Sequence, residues 1–144
     1  MEGKAYLTAI SRKKPSLPGR WLKKNGLIIP PALDYGCGRG ADFVLGFTHQ
    51  YDPYFFPGKK YSSGIFKTIA CTYVLNVVTR NVEKDILEEL HRLCADGGNI
   101  YCTVRRGMKE GVTKKGTLQR RVTLPQQWAV IRETRDHCIY QWGK

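Results

Sequence analysis

Residues 34–40 read Asp-Tyr-Gly-Cys-Gly-Arg-Gly, a carboxylate followed by glycines at every second position. Glycine loses more conformational freedom on folding than any other residue, so a run this regular implies a backbone that turns sharply or lies close to a ligand. The spacing separates the candidate ligands. A dinucleotide loop is written G-x-G-x-x-G and a phosphate loop ends in G-K-[ST]; the run here is D-x-G-x-G-x-G. A carboxylate at the head of the loop disfavours an anion and suits a cation. A plain structural turn is the other reading of the glycines.

Elements on both sides must hold this loop. Pro30 and Pro31 bar an early start, so a short buried strand is expected over Ala32–Tyr35. Residues 41–47 predict a short helix interrupted by Gly46, and residues 48–52 a short strand ending at Asp52, where Pro53 and Pro57 force a loop. A short helix earlier in the chain starts near Ser16 or Pro18 and stops at Gly26. Residues 65–78 are the most strand-like run, apolar on both faces as in the middle of a parallel sheet. Residues 81–98 predict a helix with Val82, Ile86, Leu87, Leu90, Leu93 and Cys94 on one face, Asn81 as its cap and Gly97 as its stop. A buried strand over 99–107, a polar basic connection over 107–127 and a hairpin over 128–142, turning at Thr134–Asp136, complete the order. Strands alternating with helices make this an α/β chain with a mostly parallel sheet and a C-terminal antiparallel hairpin. Ligands of such sheets sit outside the carboxyl ends of the strands.

Composition narrows the partners. The 144 residues suggest one domain, and 42% apolar residues give a globular composition. Lys and Arg number 24 against 12 acidic residues, a formal charge of +12 that favours an anionic substrate or nucleic acid over a merely basic surface. Cys37, Cys71, Cys94, Cys102 and Cys138 form no CxxC pair, and His49, His91 and His137 are scattered. We read reduced, mostly buried thiols and no metal site. No apolar run spans a bilayer and the first residues lack a secretory h-region, so the expected location is cytoplasmic, with no membrane partner.

The stretch "LDYGCGRG" resembles motif I of class I S-adenosylmethionine-dependent methyltransferases. The resemblance implies that Gly36, Cys37, Gly38 and Gly40 pass beneath the methionine and ribose of that cofactor, with Asp34 near its amino group. It also implies that an acidic residue ending the second strand bonds the ribose hydroxyls, which matches Asp52 with Pro53 beside it, and that Thr72 adjoins the cofactor from the third strand. A carboxylate suits the ribose because it accepts two hydroxyl hydrogen bonds at once. More widely, "TAISRKKPSLPGRWL", "YDPYFFP", "CTYVLNVV", "VRRG" and "GTLQRRV" resemble, in that order and over most of the chain, a group of small bacterial and phage methyltransferase-like proteins. Around the central motifs they are similar to methyltransferases associated with DNA phosphorothioation. The implied fold is a pared-down Rossmann-like methyltransferase sheet. Asp52 follows Gly40 by only 12 positions and Phe66 follows Asp52 by only 14, so an edge strand and its helix are expected to be missing. A second copy of the chain is a candidate for completing the pocket, and residues 1–28 form a basic, helical segment over the cofactor side.

Methyl transfer needs in-line positioning and, for some acceptors, a base. The acceptor is expected after the long central strand. There Tyr73 can stack on a planar group and Asn76 can hold an amine or hydroxyl, unless Asn76 only caps the turn. The [DNS]PP[YF] signature of amino-methyltransferases is absent at this place; "DPYF" follows a different strand. Between Arg105 and Arg121 seven basic residues stand beside one acid. Arg105 and Arg106 end a strand on the ligand side, and Gln119 and Arg120 lie on a glycine-hinged loop. They make either a phosphate or nucleic-acid contact or a solvated basic loop. The expected function is methyl transfer from S-adenosylmethionine to nucleic acid or another phosphate-bearing anion. The rival is a catalytically reduced protein of this fold that binds nucleic acid or protein; destruction of the cofactor is a third reading.

Overall fold

The computed structural model describes residues 14–58 and 60–143. The expected basic segment over 1–28 therefore lies partly outside the described residues. Within them run α1 (Leu17–Lys24), β1 (Ala32–Tyr35), β2 (His49–Tyr51), β3 (Phe66–Thr72), α2 (Arg80–Leu93), β4 (Cys94–Arg105), β5 (Gly111–Val112), β6 (Leu118–Gln119), β7 (Ala129–Glu133) and β8 (His137–Gly143). Six strands form one sheet in the order β2-β1-β3-β4-β8-β7, and β5 pairs with β6 alone. β1 lies parallel to β2 and β3, and β3 parallel to β4; β8 runs against β4 and β7 against β8. The carboxyl ends of β1, β2, β3, β4 and β7 thus share one edge with the start of β8. The fold is the expected α/β sheet, mostly parallel, with an antiparallel hairpin at its C-terminal side.

Alternation along the strands makes two apolar faces. Leu33, Ile69, Cys71, Ile100, Cys102 and Val104 pack beneath Ile86, Leu90 and Leu93 of α2. On the other face Leu22 of α1 meets Ala32, Ala70, Tyr101 and Ile139. Alanines at 32 and 70 leave room for so short a helix to lie close. Ser16 caps α1, its hydroxyl accepting from Gly19 N (3.1 Å). Asp42 then fastens that cap, accepting from the N–H and the hydroxyl of Ser16, both at 2.6 Å. A side chain at Gly19 would stand 2.6 Å from the Asp42 carboxylate, so only glycine fits the junction.

Four expectations are corrected. The run over 65–78 is strand only to Thr72: Tyr73 takes a left-handed φ of 61° and Leu75–Val77 form a 3₁₀ turn. Thr79, not Asn81, caps α2, its hydroxyl accepting from Val82 N at 3.3 Å. Gly97 does not stop α2, because the backbone becomes extended at Cys94 and β4 begins there. The connection over 107–127 is not wholly polar: Val122 and Leu124 are buried with Trp128 against the α2 face. Among the described residues no helix is long and apolar enough to cross a membrane.

Candidate functional site

The glycine loop leaves β1 at the ligand edge of the sheet. Gly36, Gly38 and Gly40 have φ of 77°, 57° and 87°, a region that side chains rarely adopt. At Gly36 space adds a second bar: a Cβ would stand 2.4 Å from Val74. Four N–H groups of the loop are engaged within the protein. Gly36 and Cys37 both donate to Tyr51 O (2.7 and 2.9 Å), Gly38 to an Asp52 carboxylate oxygen (3.1 Å) and Gly40 to Cys37 O (3.0 Å). A phosphate cradle needs such groups pointing at its ligand. This loop turns three of them towards β2 and Asp52 and the fourth back on itself.

Three buried carboxylates, Asp34, Asp42 and Asp52, surround it. Asp34 is 3% exposed. Burial, then the charges of Asp42 and Asp52, hold its carboxyl well above the usual carboxylate range. Beside it in the register stands Gln50, whose buried Oε1 has no hydrogen-bond partner and lies 2.9 Å from where a Cβ of Gly40 would be. A buried carboxylate and an unpartnered amide oxygen are both acceptors. Together they suit a cation that carries N–H donors. Gln50 is legible in the sequence only as the same-face neighbour of Asp52 two residues on. Asp42 carries no comparable signal, because its partner Ser16 is 26 residues away.

Asp52 is placed at the end of β2 as expected, and its carboxylate is already engaged. One oxygen accepts from Gly38 N, and the other from Tyr54 N (3.0 Å) and Phe55 N (2.9 Å). It ties the second strand to the glycine loop and keeps further lone pairs for a ligand. Pro53 lies in this turn, half-buried. Burial, then Asp34 and Asp52, push the Cys37 thiol up, so it is no nucleophile near neutral pH.

The residues expected on the acceptor side divide into two groups. Thr72 ends β3 opposite Thr103 of β4, and the next residue, Tyr73, lies 4.5 Å beneath the Arg105 guanidinium. These keep a place at the ligand edge. Asn76 is 1% exposed; its amide donates to Arg120 O (2.9 Å) and accepts from Arg105 N (2.7 Å). It knits the turn after β3 to β4 and β6, so holding an acceptor is not the job its bonds give it. Arg120 is likewise internal, donating to Val78 O and Leu75 O and pairing with Glu83 at 2.6 Å. Arg106 bonds Thr134 O and faces Glu133 at 3.2 Å, while Gln119 pairs with Gly111 in the small ribbon. Sequence position could not separate a guanidinium that fastens a loop from one that meets a ligand.

No protein-family model matches the chain, and no curated protein matches it. Solved structures are similar in shape. One is a 1,6-didemethyltoxoflavin-N1-methyltransferase of Burkholderia thailandensis, crystallised with 1,6-didemethyltoxoflavin and S-adenosylhomocysteine. It is 14% identical, with a TM-score of 0.67 over 89% of this chain and 77% of that one. A second comes from the conversion of a disulfide bond into a thioacetal group during echinomycin biosynthesis. It is 14% identical, with a TM-score of 0.65 over 91% of this chain and 82% of that one. The fold is that of a Rossmann-like methyltransferase. Identity this low carries the fold and no more.

Proposed function

We propose that the chain is a small methyltransferase that uses S-adenosylmethionine. One observation carries the reading. At the end of β1 the loop engages its N–H groups within the protein and leaves two buried acceptors side by side, the Asp34 carboxylate and the unpartnered Oε1 of Gln50. That is the chemistry for an ammonium and against a phosphate. S-adenosylmethionine is such a cation, and when bound it supplies an activated methyl group on a sulfonium. Asp34 and Gln50 would hold its amino group, and Asp52 would accept from its ribose. The crystallised neighbour with S-adenosylhomocysteine supports the same ligand. The chain's own part is then to position the acceptor beside Thr72, Tyr73 and Arg105.

For the acceptor we propose an anion, nucleic acid or another phosphate-bearing molecule. The formal charge of +12 supports it, as do Arg105, Lys109, Lys114 and Lys115, all exposed near the ligand edge or on the adjoining loops. The sequence resemblance to methyltransferases associated with DNA phosphorothioation points the same way. The test is transfer of radiolabelled methyl from S-adenosylmethionine into fractions of DNA, RNA, protein and small anions. Label in one fraction that vanishes in Asp34→Asn is the expected result; no label in any fraction contradicts the reading.

A further inference from the structure

Among the described residues, three buried polar atoms away from the glycine loop have no hydrogen-bond partner: Thr103 Oγ1, His137 Nε2 and Arg132 Nε. They are not scattered. Thr103 and Arg132 both pair in register with Ile139, from β4 on one side and β7 on the other, and His137 stands two residues from Ile139 on β8. Ile139 belongs to the apolar cluster beneath α1, whereas Val104 and Cys138 belong to the opposite cluster. Alternation therefore puts Thr103 and His137 on the α1 face. The Arg132 guanidinium reaches the same face, lying 5.3 Å over the ring of Trp21 in α1. All three residues stand at the ligand edge. Counting along the sheet from β1, which carries Asp34, Thr103 on β4 lies two strand spacings away, about 10 Å, His137 on β8 three and Arg132 on β7 four, about 19 Å.

Buried polar atoms without partners are costly and rare, so three around one residue need a cause. Thr103 is 0% exposed and His137 4%. Burial first, and then the Arg132 charge, hold the His137 imidazole below its ordinary range, which keeps it neutral near pH 7. A neutral imidazole donates from one ring nitrogen, a threonine hydroxyl donates, and a guanidinium Nε–H donates with a full positive charge behind it. With the His137 proton on Nε2 the patch offers three donors, which match an anionic oxygen.

We propose that Thr103, Arg132 and His137 form the subsite that holds an anionic oxygen, carboxylate or phosphate, of the methyl acceptor. The proposal rests on the methyltransferase reading for the word acceptor, but the anion site itself stands on the unpartnered donors. Arg132 swings from Trp21 to admit the anion, and His137 and Thr103 complete its hydrogen bonds.

The experiment follows the His137 ring nitrogens by NMR while inorganic phosphate, and separately benzoate, is added to the full chain without cofactor. A saturable shift of the His137 signal with one of the two anions is expected, and the tighter arm identifies the anion class. Arg132→Gln and Thr103→Val each weaken that response about tenfold, while Arg135→Gln, on the exposed turn, leaves it unchanged. Thr103→Val replaces a buried hydroxyl by a methyl of the same shape, so it keeps the test alive if Arg132→Gln fails to fold. No saturable shift with either anion, or an equal shift in Thr103→Val, overturns the proposal. Calorimetry with S-adenosylhomocysteine on the same sample separates the two claims. Cofactor binding without an anion response removes only the subsite, and an anion response without cofactor binding removes only the methyltransferase reading.

Discussion

Asp34 is a carboxyl whose surroundings favour the wrong charge state until a ligand arrives. Its pKa in the folded chain lies above the unfolded value of about 4, so the folded state binds the proton more tightly. Its contribution to stability is therefore largest below the unfolded pKa and falls as pH rises through the folded one. Asp34→Asn removes that penalty: thermal unfolding at neutral pH should show a higher Tm than wild type, with less loss of Tm between mildly acidic and neutral pH. A bound cation reverses the preference. Affinity for S-adenosylhomocysteine should rise with pH as Asp34 loses its proton, and this slope should flatten in the Asn variant. Gly36→Ala tests the other half of the loop. Its φ of 77° and the approach to Val74 predict a loss of stability of at least about 1–3 kcal/mol in urea denaturation. A loss near zero would show that the loop can reopen. The sequence displayed these residues plainly, because glycine spacing is a backbone statement. It did not display that Gly36 makes room for Val74 rather than for a ligand, since Val74 comes 38 residues later in another turn.

Elements hold the site through side chains whose partners are far away in sequence. Asn76 joins the turn after β3 to β4 and β6 by hydrogen bonds across 44 and 29 residues. Asn76→Ala leaves Arg105 N–H and Arg120 C=O unpartnered and should cost about 2–3 kcal/mol. Chemical denaturation measures it, and an unchanged midpoint would return Asn76 to the ligand side. Asp42 fastens the cap of α1 with two 2.6 Å hydrogen bonds. Asp42→Ala should cost about 2–3 kcal/mol and speed amide exchange across α1 more than across α2. The strands were legible because their apolar runs report the sheet directly: Ala32–Tyr35 and the turn at Thr134–Asp136 stand where patterning put them. The end of β3 was not. A largely apolar, strand-like run from Phe66 to Val78 hides a left-handed Tyr73, and no glycine marks the bend. Burial of Val122 and Leu124 was hidden for the opposite reason, two apolar residues within a basic stretch.

Across the whole molecule, charge and topology act together. β2 forms one edge of the sheet, with only a 3₁₀ turn, Ala41–Leu45, between it and β1. The short spans around Asp52 made this economy visible in the sequence. The formal charge of +12 sets long-range behaviour that no single contact carries. In the proposed function, binding to duplex DNA by fluorescence anisotropy should weaken at least about tenfold from low to physiological salt. Salt-independent binding would place recognition in neutral contacts instead. Beneath these expectations lies one claim, that the loop of Asp34 and its glycines receives a cationic cofactor. Isothermal titration calorimetry of S-adenosylmethionine and S-adenosylhomocysteine into the full chain tests it most directly. Saturable binding of both is expected, weakened about tenfold or more in Asp34→Asn and unchanged in Arg135→Gln. No heat of binding at millimolar ligand, in a sample whose amide spectrum shows a folded chain, would contradict it.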